Sequence, residues 1–284
     1  ELNFQKAAQR VGISQPTLSQ QIKKLEDELQ TPLFERSSQR VRLTQAGEKF
    51  INYALAALEN LQQGVQELQN DSQKAQGKIK LGFIPTIGPY LLPKAIAALH
   101  RQAPEVELEL HEETTSVLVE SLKNGKFDLG LVALPIQDNS LVQRKLGKEK
   151  FQVAVAKNHA FSQKQTISVS DLKNQSLLIL KEGHCFRDQA LDFCKQKQKN
   201  LKVTFEGSSL VSVMNLAAAG EAVTLVPQMA AQGSKHQELR FIPFSDTVPH
   251  REVGVIWRMM TPLSRTQRFF IDLLEKCLKD LLKN

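Results

Sequence analysis

Cysteine and the larger aromatic residues are scarce in this chain: 284 residues include three cysteines, one tryptophan and two tyrosines. Cys185, Cys194 and Cys277 are too few and too unevenly spaced to staple a secreted fold, and no CxxC or Cys/His pair has zinc-ligand spacing. A structural metal is therefore not expected, and nothing in the sequence implies an organic cofactor. Long hydrophobic runs are lacking as well. None reaches the roughly eighteen uninterrupted apolar residues of a membrane span, and the opening stretch has no charged-then-apolar leader pattern. These absences predict a cytoplasmic protein without a membrane partner. The chain opens on Glu1 rather than methionine, so further sequence is expected ahead of it.

A one-sided charge near the N-terminus is also missing. The net charge is +7, yet residues 1–44 hold seven Lys or Arg against five acids, and much of the surplus lies in 195–202. A dispersed lysine excess is ordinarily solvated surface, so charge alone does not indicate nucleic acid. The length suits two or three compact units.

The first of these is legible from local pattern. A short helical segment around Ala7 and Ala8 leads through Val11-Gly12-Ile13 into a second helix. Ser14 is suited to cap that helix, and Pro16 falls in its first turn, where a missing N–H costs nothing. Leu18, Ile22, Leu25 and Leu29 then recur at spacings of four, three and four, a stripe expected to be buried. Gln15, Thr17, Gln20 and Lys24 lie opposite. This is helix-turn-helix spacing, with hydrogen-bonding side chains at the end of the second helix that meets base edges. Arg36, Arg40 and Arg42 follow in an alternating segment that reads as a wing with cations for phosphate. A two-helix corner with a solvated polar face fits the spacing alone; the arginine-rich wing favours DNA.

The run from Ala7-Ala8 through Ser14-Gln15-Pro16-Thr17-Leu18-Ser19 to Ile22-Lys23-Lys24-Leu25-Glu26, then Leu33-Phe34-Glu35-Arg36 and Leu43-Thr44-Gln45-Ala46-Gly47, resembles the DNA-binding domain of LysR-type regulators. The resemblance implies one more helix ahead of Asn3. It also implies that Gln15, Thr17, Gln20, Arg36 and Arg40 contact DNA, and that RNA polymerase is a partner.

From Gln45 to Gln69 there is no proline, and Ile51, Ala54, Leu58, Leu61, Val65 and Leu68 are spaced three, four, three, four, three. That seam fits a coiled coil between two copies; packing on the chain's own domain is the alternative. Paired half-sites on DNA favour the dimer, and the family resemblance adds a dimer of dimers.

After a polar break, strand-like segments (79–84, 106–111, 127–133, 151–156, 176–180, 222–226, 252–257) alternate with helix-like ones (91–100, 115–123, 187–195, 210–219, 265–282). Alternation of this kind predicts an α/β fold with a parallel sheet covered by helices. The expected organisation is a winged helix-turn-helix over 1–45, a linker dimerisation helix over 46–76 and a regulatory domain over 77–284. By resemblance, the last divides like a periplasmic binding protein into subdomain I (about 77–147 and 253–284) and subdomain II (about 148–252), with a cleft between them.

Thr86 and Thr115 each follow a strand, at the edge where open α/β sheets bind ligands; helix capping is the plainer role for either. The segment Glu182-Gly183-His184-Cys185-Phe186-Arg187-Asp188-Gln189-Ala190, continuing to Phe193-Cys194, puts Cys185 in a strand-to-helix turn. Helix N-terminal N–H groups, His184 and Arg187 are placed there to favour the nucleophilic thiolate. Cys194 lies on an apolar face and Cys277 on the last helix; a packing role suits each taken alone.

That segment resembles the peroxide-sensing members of the LysR family. The resemblance implies that Cys185 reacts with hydrogen peroxide, that Cys194 resolves it to a disulfide, and that Thr86, Thr115, His184 and Arg187 hold the peroxide. A cellular thiol reductant would reset the pair. Two other readings compete: a LysR-type regulator with a small effector in the cleft, and a thiol peroxidase. The second is disfavoured by the DNA-binding segment, so no enzyme activity is expected. Helix geometry adds a constraint of its own. Nine residues on a continuous helix separate two Cα atoms by about 13 Å and place them on opposite faces, whereas a disulfide spans only about 4.4–6.8 Å. Forming the bond requires the segment to be rebuilt.

Overall fold

The computed structural model describes residues 3–36, 41–69, 75–173, 175–183, 185–187, 189, 202–220, 222–234, 236–245 and 248–283; the side chains of residues 36, 52, 56, 59, 60, 62, 63 and 66–69 are outside that description. The chain divides into two compact units, Glu1–Gln69 and Asn70–Asn284.

In the first unit, α1 (Phe4–Val11) is capped by Asn3, whose side chain accepts from the Lys6 N–H, and it ends on Gly12 with φ 77°. Helix α2 (Gln15–Glu28) begins as the sequence predicts: the Ser14 side chain accepts from the Thr17 N–H, and Pro16 sits in the first turn. The wing is the hairpin of β1 (Phe34–Arg36) and β2 (Val41–Leu43). Glu26 fixes its base by accepting the Leu33 and Phe34 N–H groups at 2.8 and 3.0 Å. Thr44 then closes the turn into α3 (Gln45–Gln69), its hydroxyl donating to the Pro32 carbonyl and accepting from the Gly47 N–H. Gly47 is required there, since a Cβ would come within 2.1 Å of the Leu33 carbonyl oxygen.

The buried stripe expected on α2 is corrected by the structure. Leu18, Ile22 and Leu25 are half-buried and Leu29 is 40% exposed. Two short helices and two three-residue strands fully bury few apolar side chains, Ala8 and Leu33 among them, as the high surface-to-volume ratio of a small unit dictates. On α3 the seam faces outward: Ile51, Leu58, Leu61 and Val65 are 40%, 56%, 68% and 50% exposed, and Ala54 is half-buried.

The second unit is built on β3 (Gly77–Phe83), α4 (Gly88–Gln102), β4 (Val106–Glu112), α5 (Thr115–Lys123), β5 (Leu129–Leu134), β6 (Leu141–Ala156), β7 (Ser176–Leu180), β8 (Lys202–Gly207), α6 (Leu210–Ala218), β9 (Val223–Pro227), α7 (Gln228–Gly233), β10 (Leu239–Pro243), β11 (His250–Arg258) and α8 (Arg265–Leu282). The strands follow the order β4-β3-β5-β11-β6-β9-β7-β8, with β10 also on β6. The sheet is mixed rather than parallel throughout. Pairs β3–β4, β3–β5, β7–β8 and β7–β9 are parallel, whereas β11 runs antiparallel to β5 and β6, and β6 antiparallel to β9 and β10. The cause is β6, a 16-residue strand whose first part pairs with β11 and whose last part pairs with β9 and β10. It carries the chain from one half of the sheet to the other, and β11 carries it back.

Two separate apolar cores result. One gathers β3, α4, α5, β5, β11 and α8 around residues such as Leu81, Leu91, Leu118 and Phe270. The other gathers the end of β6 with β7, β9 and α6 around Phe151, Leu178 and Val213. Tyr90 packs against both.

Candidate functional site

Strand β3 delivers Ile84-Pro85-Thr86, and β4 delivers Thr114 and Thr115, to the same sheet edge. From the other half of the sheet, β7 ends at Leu180 and the chain turns through Gly183 at φ 95°, a left-handed conformation that favours glycine. The turn places Cys185 at the start of a helical stretch running through Arg187. Ile84, Pro85, Thr86, Thr114, Thr115, Gly183 and Cys185 together line one small cavity, with about 10 Å³ available to the centre of a water-sized molecule. A single water needs about 10–15 Å³ by the same measure, so the space is about that of one water molecule.

The two threonines differ in their bonding. Thr86 is 2% exposed, and its hydroxyl oxygen accepts a hydrogen bond from Arg251 Nη1 at 2.7 Å, while Arg251 Nη2 donates to the Thr86 carbonyl at 2.7 Å. Thr115 Oγ1 is buried with no hydrogen-bond partner among the described residues. A buried hydroxyl without a partner costs stability unless a bound molecule satisfies it, and Thr115 lines the same cavity as Cys185.

Cys185 is a free, half-buried thiol that packs against the first core, while the next residue, Phe186, is 3% exposed in the second, edge-on to Phe151 at 4.9 Å between ring centroids. The segment thus spans both cores. Arg187 does not line the Cys185 cavity. Its Nη2 donates to Glu206 on β8 at 3.0 Å, and it borders an apolar pocket with Leu180, Leu210 and Val213. His184 and Cys194 lie outside the described residues. Cys277 is 4% exposed, and burial pushes its thiol pKa up, away from nucleophilic use.

Three residues of the second unit escape sequence reasoning. Arg251 and Glu149 form a fully buried ion pair, Nε to Oε2 at 2.7 Å, and Glu149 Oε1 accepts the Met229 N–H at 2.8 Å. In sequence both sit in charged runs, Lys148-Glu149-Lys150 and His250-Arg251-Glu252, that look like solvated surface; only their pairing across β6 and β11 joins them. Gln189, four residues after Cys185, has a buried Oε1 with no hydrogen-bond partner among the described residues.

In the first unit, Gln15, Thr17 and Gln20 are exposed on the first turns of α2. Arg36 ends β1, its side chain undescribed, and Arg40 falls outside the described residues. Among the described residues no helix is long and apolar enough to cross a membrane.

Comparison with known proteins covers both units. Residues 1–48 match the family described as bacterial regulatory helix-turn-helix protein, lysR family, and residues 72–278 match the LysR substrate binding domain. The chain is similar to the hydrogen peroxide-inducible genes activator of Dickeya chrysanthemi, 35% identical over 262 residues that cover 92% of this chain and 86% of that one. It is 35% identical, over the same shares, to the DNA-binding transcriptional dual regulator OxyR of Escherichia coli. Among solved structures, a full-length OxyR variant from Pseudomonas aeruginosa superposes with a TM-score of 0.76 at 36% identity, covering 98% of this chain and 92% of the other. A hydrogen peroxide-bound OxyR variant from Corynebacterium glutamicum gives 0.72 at 30% identity, covering 99% and 91%.

Proposed function

Because the chain belongs to the LysR family of bacterial regulators, we propose that it is a transcription regulator that senses hydrogen peroxide through Cys185 and is switched by a Cys185–Cys194 disulfide. The observation that carries this reading is the cavity under Cys185. It is about the size of one water, far too small for an organic effector, and it is lined by Thr86 and by Thr115, whose buried hydroxyl has no hydrogen-bond partner among the described residues. An organic effector ordinarily fills a pocket of about 300–1,000 Å³. Relatives named for peroxide induction support the same reading.

The chemistry balances without a cofactor. The Cys185 thiolate attacks one peroxide oxygen, the O–O bond breaks, and hydroxide leaves and takes up a proton as water. Cys185 becomes a sulfenic acid, and peroxide is reduced by two electrons. The Cys194 sulfur then attacks the sulfenic sulfur, forming the S–S bond and releasing a second water. A cellular thiol reductant returns both cysteines to thiols. Thr86, Thr115, His184 and Arg187 are assigned to the peroxide-binding step, with Arg187 acting through the segment it anchors on Glu206. In the first unit, Gln15, Thr17 and Gln20 read promoter bases, and Arg36 and Arg40 hold phosphate or the minor groove. The α3 seam joins two copies, two dimers associate, and RNA polymerase receives the signal. The protein works in the cytoplasm.

The test is a DNA-binding and in vitro transcription assay with and without peroxide. Cys185→Ser is expected to abolish the response while leaving binding intact, and Cys194→Ser to permit oxidation without a disulfide. A Cys185→Ser protein that still switches with peroxide contradicts the proposal, and a switch driven by an organic effector would replace it.

A further inference from the structure

We propose that Glu149 is a positioning residue for the peroxide reaction, holding Arg251 so that Thr86 presents its hydroxyl hydrogen to the oxidant; this rests on the peroxide reading of the Cys185 cavity. A threonine hydroxyl has one hydrogen to donate and two lone pairs, and a guanidinium only donates. Arg251 Nη1, 2.7 Å from Thr86 Oγ1, therefore occupies a lone pair and leaves the hydroxyl hydrogen for another acceptor. The second nitrogen, 2.7 Å from the Thr86 carbonyl, fixes the same residue through its backbone. Thr86 borders the cavity that Cys185 enters. As the O–O bond breaks, negative charge builds on the leaving oxygen, and a hydrogen-bond donor already aimed at it lowers the barrier without reorganising.

The guanidinium cannot hold that pose alone. Both Arg251 and Glu149 have fully buried side chains, and a buried cation without a counter-charge is strongly disfavoured. Glu149 supplies the charge and is held at both oxygens: Oε2 receives Arg251 Nε at 2.7 Å, and Oε1 receives the N–H of Met229 in the first turn of α7 at 2.8 Å. The two residues face each other across β6 and β11, the strands that join the two cores, so the backbone pairing sets their approach. The guanidinium also lies 5.7 Å from the ring centroid of Phe186, the neighbour of the reactive cysteine. With glutamine in place of Glu149, one amide oxygen would have to serve both Arg251 and Met229, and the charge would be lost.

The experiment uses the full reduced chain and its Glu149→Gln, Thr86→Val and doubly substituted variants. Two rates of Cys185 are measured at one pH: sulfenic acid formation with hydrogen peroxide and alkylation by iodoacetamide. Glu149→Gln is expected to lower the peroxide-to-iodoacetamide rate ratio about tenfold, and Thr86→Val about a hundredfold, the scale of losing one such donor. The double variant should be no slower than Thr86→Val, because Glu149 acts through Thr86. Glu149→Asp keeps the charge with a shorter reach and should fall between wild type and Glu149→Gln; it serves as well where the glutamine variant does not fold. A wild-type ratio in either Glu149 variant, or losses that multiply in the double variant, would overturn the inference. Wild-type Cys185 reacting with peroxide no faster than free cysteine would instead sink the peroxide reading, and the inference with it.

Discussion

Ser14 accepts the Thr17 N–H and bonds the Thr17 hydroxyl at 2.7 Å, which fixes the opening turn of α2 and the side chains it presents. Gln15 and Gln20 remain exposed there, free to meet base edges. Gln15→Ala should therefore relax preference at one base pair by about 1–3 kcal/mol. Arg36→Ala should weaken binding to all sequences alike and flatten its salt dependence. Competition between promoter and random DNA separates the two; unchanged selectivity in Gln15→Ala would show that α2 does not enter the groove as proposed. At this scale the sequence was informative where a residue's neighbours in the chain define its setting. Ser14, Pro16, Thr86, Thr115 and Cys185 all follow from their place at a helix start or strand end. Glu149 and Arg251 did not, because their meaning comes from a partner 102 residues away and from a burial that their charged sequence neighbours hide.

Among the elements, α5, β7 and α8 have the limits expected from the sequence, and Ser264 and Gln267 form a capping box at the start of α8. The first half of β6, with β8 and β10, was not legible. Residues 141–150 carry four lysines or arginines, a glutamate and a glycine, which have low strand propensity, and pairing with β11 holds them extended regardless. Helix α3 shows the reverse case, an element whose local pattern is plain and whose proposed use depends on a second copy of the chain. Its seam residues stand 40–68% exposed at Ile51, Leu58, Leu61 and Val65. Burying the exposed part of such side chains against a second copy contributes on the order of 1 kcal/mol each. Leu58→Glu should split the dimer, read by sedimentation. An unchanged oligomer would move the contact off this helix.

For the whole molecule, the telling feature is that adjacent residues of one segment belong to different cores. Cys185 packs against the first, and Phe186 is seated in the second beside Phe151 and over Arg251. Withdrawing Cys185 to meet a cysteine nine residues on removes a contact with one half of the regulatory unit and disturbs the packing of the other. Packed cores have discrete arrangements rather than continuous ones, so this local bond can bias the relation of the two halves joined by β6 and β11. The alternation of strands and helices foretold an α/β unit, but not the single long strand that runs between its two cores. The most direct test is peptide mapping by mass spectrometry of reduced protein before and after one equivalent of hydrogen peroxide. The account predicts a Cys185–Cys194 crosslink as the dominant product, with Cys277 remaining a free thiol. Cys185 and Cys194 recovered as free thiols while peroxide persists would contradict it.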